Sequence, residues 1–143
     1  MTDAPTSTHA RNRSLAAVAS GSAVPYGYTV TLWSSGAVLS HVHGPPDLTR
    51  IALFMASAIA GYNLFGGVAR RLSMRAADDF GGHVKVIAGM LNWLAVAGAV
   101  AAAWGCSQLA SAAAWAAGPG AATVVYLTLS AVQLAAAEAR TRT

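Results

Sequence analysis

Between Lys85 and Glu138 lie 52 consecutive residues without a formal charge. A water-soluble helix bundle needs a charged outer face, and this stretch has none. Two further charge-free runs separate Arg13 from Asp47 and Arg50 from Arg70, the second being the 19 residues from Ile51 to Ala69. A bilayer core takes about 20 mostly apolar residues per helix, so the second run fits one span. The 52-residue run is too long for one. It is interrupted by Gly105-Cys106-Ser107-Gln108 and by Gly118-Pro119-Gly120, residue types that break helices and mark turns. The pattern predicts an all-α polytopic membrane protein with four transmembrane helices. They fall at about 24–40, 51–69, 86–104 and 119–137, in a single up-down bundle over 14–140. Pro25 suits the first turn of helix 1, where its missing N–H is harmless. A longer helix kinked at Pro25 would instead begin near Leu15. Residues 1–13, polar and rich in Ser, Thr and Pro at the start, read as a disordered tail, and 141–143 as a second short tail.

Charge placement sets the direction. Only 10% of residues are charged, against about a quarter in ordinary soluble domains. Arg11 and Arg13 precede helix 1, and Arg50 alone occupies the first loop. Arg70, Arg71, Arg75 and Lys85 occupy the second, and Arg140 and Arg142 follow helix 4. Lys and Arg favour the cytoplasmic ends of membrane segments. Placing both termini in the cytoplasm puts eight of the nine cations inside. The expected location is the cell membrane, multi-pass, with the lipid bilayer as first partner. The net charge of +4 then reads as an orientation signal. The cations are too scattered for a nucleic-acid patch, so no nucleic-acid partner is expected. Trp104 and Trp115 would flank the last outer loop, at the depth amphipathic aromatics prefer.

Three amides share one depth in this arrangement. Asn63, Asn92 and Gln133 each fall four to six residues from the inner end of their helix, roughly 6–10 Å inside the boundary. Ala52, Ala56, Ala60, Asn63 and Gly67 recur at helical spacing as a stripe of small residues. Ala88, Asn92, Ala95 and Ala99 do the same on helix 3, and Thr123, Tyr126, Ser130, Gln133 and Ala137 form a polar stripe on helix 4. Small residues let membrane helices approach, and amides bond across the gap. Asn63 is therefore expected to meet Asn92 between helices 2 and 3. The layer reads either as packing or as a ligand site. Helix 1 carries hydroxyls around most of its circumference, including Tyr26, Tyr28, Thr29, Thr31, Ser34 and Ser35. It is expected inside the protein or at a subunit contact. With Tyr126 and Ser130 these hydroxyls could line a pathway, or bond back to their own helix carbonyls.

His41, His43 and Asp47 could supply three ligands to a divalent metal at the outer surface. The two imidazoles could equally form a protonation-sensitive cap on helix 1. Asp78, Asp79 and His83 are the only clustered acid–base groups on the inner side. No ionisable side chain lies within a span, which disfavours proton-coupled transport, and no nucleotide loop or catalytic constellation is present. No enzyme activity and no cofactor are expected. Four-helix drug exporters of the small multidrug type carry a Glu in helix 1 that this chain lacks. Asn63-Leu64-Phe65-Gly66 resembles the Asn- and Gly-bearing second helix of fluoride channels. The Phe- and Thr-rich third-helix signature of those channels is missing, and no family is assigned. The expected function is that of a non-enzymatic accessory or structural subunit of a membrane complex. The alternative is an oligomeric channel or facilitator for small neutral solutes.

Overall fold

The computed structural model describes residues 26–73 and 92–141. The expected tail over 1–13, Pro25, the start of the third expected span, and Asp78, Asp79 and His83 lie outside the described residues. The described residues are helical apart from two short connections, and no strand occurs among them. Helix α1 covers 26–43. Helix α2 is Leu48–Ser73, α3 is described over Asn92–Cys106, and α4 is Ser111–Thr141.

Local chemistry fixes both connections. Gly44 adopts a φ of 79° directly after α1, the left-handed backbone that glycine accepts at a helix C-terminus. Pro45 and Pro46 prevent the helix from continuing. Asp47 then caps α2: its Oδ1 accepts the Arg50 N–H at 2.8 Å, and its carbonyl accepts the Ile51 N–H at 3.0 Å. Aspartate is favoured here because it satisfies an otherwise unpaired first-turn donor. At the other connection, Ser107 Oγ donates to the Trp104 carbonyl at 2.6 Å and Gln108 Nε2 donates to the same carbonyl at 3.4 Å. These bonds satisfy acceptors that a helix end leaves free.

The Gly118-Pro119-Gly120 cluster does not end a loop, contrary to the expectation. It lies inside α4, which begins at Ser111. The third connection therefore shrinks to residues 107–110. Proline removes one helix donor. The group Pro119 leaves without its donor is the carbonyl four residues back, at Trp115. One residue on from the proline, the Gly120 N–H donates to Ser57 Oγ of α2 at 2.9 Å. Trp115 moves with the helix start. It is not a loop-flanking aromatic but is only 2% exposed, packed with Leu39 and Ala114.

Helix α4 is the hub, packed on both α2 and α3. Its crossing with α2 is the tightest contact. A Cβ at Gly61 would stand 2.7 Å from the Gly120 carbonyl oxygen, and a Cβ at Gly120 would stand 2.9 Å from the Ser57 carbonyl oxygen. Ser57 and Gly61 form a small-xxx-small pair, the pattern that lets membrane helix backbones meet. On α3, Ala95, Ala99 and Ala103 pack against Ala122 and Tyr126 of α4, which agrees with the small-residue stripe expected there. The α2 stripe is different. Ala52, Ala56, Ala60, Asn63 and Gly67 are all exposed, because Ser57 and Gly61, on another face, make the contact with α4.

Contacts also give the helix directions. Tyr28 of α1 lies beside Tyr126 and Leu39 beside Trp115, so α1 runs antiparallel to α4. Tyr28 also meets Tyr62, while Gly36 meets Phe54, so α1 is antiparallel to α2 as well. Successive described helices thus alternate in direction. Helices α1 and α4 touch across the middle of the bundle, and α2 and α3 stand on either side of them. Two helices are long and apolar enough to cross a membrane, over Leu48–Arg71 and Ser111–Ala136, and α3 is a shorter apolar helix.

The Gly61 contact gives a direct test. Gly61→Ala should destabilise the detergent-solubilised protein by about 1–3 kcal/mol, the usual penalty of overpacking. Gly67→Ala meets no atom within 4 Å. It should be neutral or stabilising by up to about 1 kcal/mol, since alanine is the better helix former. Unfolding midpoints of the two variants against the parent check this contrast.

Candidate functional site

The polar side chains of the interior gather where α1, α3 and α4 meet. The Tyr126 hydroxyl donates to Asn92 Oδ1 at 2.9 Å. The Tyr28 and Thr123 hydroxyls stand 3.4 Å apart. The Tyr28 ring is 6.0 Å from that of Tyr126 and 6.4 Å from that of Tyr62, both tilted, a favourable aromatic arrangement. Gly27 makes room for the cluster, since a Cβ there would collide with Asn92 Nδ2 and the Tyr126 hydroxyl. Thr123 and Tyr126 are wholly buried. Of the polar stripe expected on helix 4, Thr123 and Tyr126 face inward, and Ser130 and Gln133 are half-buried.

Helix α1 contributes one inward stripe. Gly27, Thr31, Ser35 and Leu39 are buried at intervals of four residues, the spacing of one helix face. Ser35 Oγ donates to the Thr31 carbonyl of its own helix at 2.7 Å, as the back-bonding alternative anticipates. Thr31 Oγ1 is buried without a partner among the described residues. Tyr26 and Thr29 are exposed, whereas Ser34 and Ser130 are half-buried. The hydroxyls of α1 therefore divide into an inward set and an outward set.

The amide layer divides as well. Asn92 joins the interior cluster and Gln133 is half-buried, but Asn63 is exposed on α2. Asn63 does not meet Asn92, because α2 and α3 each pack on α4 rather than on one another. The error comes from pairing helices adjacent in sequence, when the bundle pairs them through α4.

The metal reading also changes. No group of three His, Cys, Asp or Glu side chains gathers among the described residues. Asp47 Oδ1 is engaged as the α2 cap. His43 Nε2 lies 3.0 Å from the Ser107 carbonyl, to which it can donate, and so ties the end of α1 to the end of α3. His41 is exposed two residues earlier on the same helix. His43 and Asp47 are thus engaged at helix ends, and the three residues do not form one cluster.

Sequence reasoning missed Ser57, Gly61 and Gly120. The Ser57-xxx-Gly61 spacing was the available signal, hidden by the longer alanine stripe on the neighbouring face. The interior bond is measurable by a double-mutant cycle on Tyr126→Phe and Asn92→Ala. The coupling should be about 0.6 kcal/mol and no more than about 1.7, the range of interhelical hydrogen bonds in membranes. Equilibrium unfolding in mixed micelles of the parent, both single variants and the double variant gives it. No protein-family model, curated protein or solved structure matches the chain.

Proposed function

We propose that the chain is a non-enzymatic subunit of a membrane assembly, crossing the cell membrane four times with both termini in the cytoplasm. It joins its partner through the outward face of α2. Support for membrane residence comes from the long apolar helices α2 and α4 and from charges confined, among the described residues, to the helix ends and the connection before α2. Arg70 and Arg71 lie in the last turns of α2, at the end assigned to the cytoplasm by the positive-inside tendency. Helices α1 and α3 complete the four crossings in alternating directions.

The observation that carries the assembly reading is Asn63. It is exposed, seven residues before Arg70, or roughly 10 Å along the helix axis. An amide facing hydrocarbon is unfavourable, and polar side chains at this depth join helices by bonding across their contact. Around it, exposed Ala52, Ala56, Ala60 and Gly67 leave the backbone open to another helix. The partner is a second copy or a helix of a larger complex. The channel alternative has less support, because Thr31, Ser35, Thr123 and Tyr126 are packed against neighbouring helices. A solute path would have to run between copies.

Two outcomes follow. Ala56→Leu and Asn63→Ala should reduce the cross-linked assembly recovered from native membranes. The stability of the isolated chain should stay within about 0.5 kcal/mol, as usual for exposed positions. Unchanged cross-linking would remove the α2 face from the assembly. For topology, Ser73→Cys in a Cys106→Ser background should resist an impermeant thiol reagent in intact cells and react after permeabilisation. Labelling of intact cells would reverse the orientation.

A further inference from the structure

A cleft of about 420 Å³ opens between α1 and α2 near the Pro45-Pro46 connection, with Trp115 of α4 in its wall. Its volume lies within the ordinary range of ligand sites, which are mostly apolar with a few polar groups. Leu32, Trp33 and Ala37 line one side, Ile51 and Phe54 the other, and Pro46 stands at the end. No charged side chain lines it. The Trp115 indole N–H is buried without a partner, although a buried tryptophan usually finds one. Its ring packs on Phe54 at 6.1 Å.

Beside the cleft stands Arg50, the residue before Ile51. Its Nη1 makes one long contact, 3.5 Å to the Pro45 carbonyl, which leaves most of the guanidinium donors for another acceptor. Arg50 precedes Phe54 by four residues, roughly 6 Å along α2. The order along the helix is therefore a cation, then an unpaired N–H beside an aromatic pair, then an apolar wall. A phospholipid presents the matching order of phosphate, ester carbonyl and acyl chain.

We propose that this cleft holds one phospholipid, with its phosphate at Arg50, an ester carbonyl at the Trp115 N–H and an acyl chain along Leu32, Trp33 and Ala37. The proposal rests on the membrane-spanning reading but not on the assembly reading. Charge complementarity selects the phospholipid over a neutral lipid with the same chains. The eight helical steps from Ser40 to Leu32 give the chain a wall of roughly 12 Å.

Native mass spectrometry of the full chain in nonionic detergent tests it, with dioleoylphosphatidylglycerol and dioleoylglycerol as matched probes. One phosphatidylglycerol should be retained per chain, and dioleoylglycerol should be retained several-fold less. Arg50→Gln should weaken phospholipid retention about fivefold, the scale of one cation at an anionic head group. Ala37→Leu should abolish it, because Ala37 is exposed on the cleft wall and the longer side chain fills the cleft rather than the core. Equal retention of the two lipids, or retention unchanged in both variants, would overturn the proposal. Carbonate-resistant membrane residence is measured on the same variants. Residence without lipid retention sinks this proposal alone, and loss of residence in the parent chain sinks the spanning reading with it.

Discussion

The close contact of α2 with α4 is the constraint on which the rest of the bundle depends. Beside Pro119 in α4, the Gly120 N–H donates to Ser57 Oγ of α2. That bond requires the two helices to be very near. The nearness is available only because Gly61 and Gly120 have no side chains, and a Cβ on either would strike the other helix's backbone. Proline and small residues are usually liabilities in a helix. Here the small residues open the space in which the Gly120 N–H, next to the proline, reaches Ser57 of the neighbouring helix.

From this crossing the other positions follow. With α2 held against one side of α4, α3 lies against another, through Ala95, Ala99 and Ala103. These alanines present a smooth surface into which the larger Tyr126 can fit. Tyr126 then reaches Asn92, and Gly27 lets α1 approach the pair. Each interior hydrogen bond in a membrane is a modest contribution, about 0.6 kcal/mol on average. The cluster therefore specifies how the helices are rotated more than it binds them together. Close backbone packing supplies most of the attraction, because lipid chains are as apolar as the side chains they would replace.

The helical character and the two apolar helices of membrane-crossing length were legible in the sequence for a physical reason. Absence of charge is a one-dimensional property, and runs such as Ile51–Ala69 and Lys85 to Glu138 expose it without any knowledge of neighbours. The inward stripes on α3 and α4 were legible too, because each combined small or polar residues at helical spacing. The α2 face was not. Two stripes compete on that helix, one through Ala52, Ala56 and Ala60 and one through Ser57 and Gly61. Composition favours the first. The face that is used carries Ser57, which accepts the Gly120 N–H of α4, and that bond links residues 63 positions apart. The same long-range link turned Gly118-Pro119-Gly120 from a loop signal into the middle of a helix.

The two faces of α2 bear on function in opposite ways. The Ser57–Gly61 face is consumed by the fold, so substitutions there report on stability before anything else. The face carrying Asn63 is left free by that same choice. Had α2 packed on its alanine stripe, Asn63 would have turned inward and the chain would have presented the larger side chains Phe54 and Phe65 outward. Instead Phe54 stays at the Trp115 contact, and the outward surface keeps a small-residue track with one amide. Beside that track stand the larger exposed side chains Met55, Ile59 and Tyr62; the track itself lets another helix backbone come near, and close approach and an amide bond are what helix association in membranes rewards. The Ser57–Gly120 bond thus helps to fix which side of α2 faces α4 and which side is left exposed.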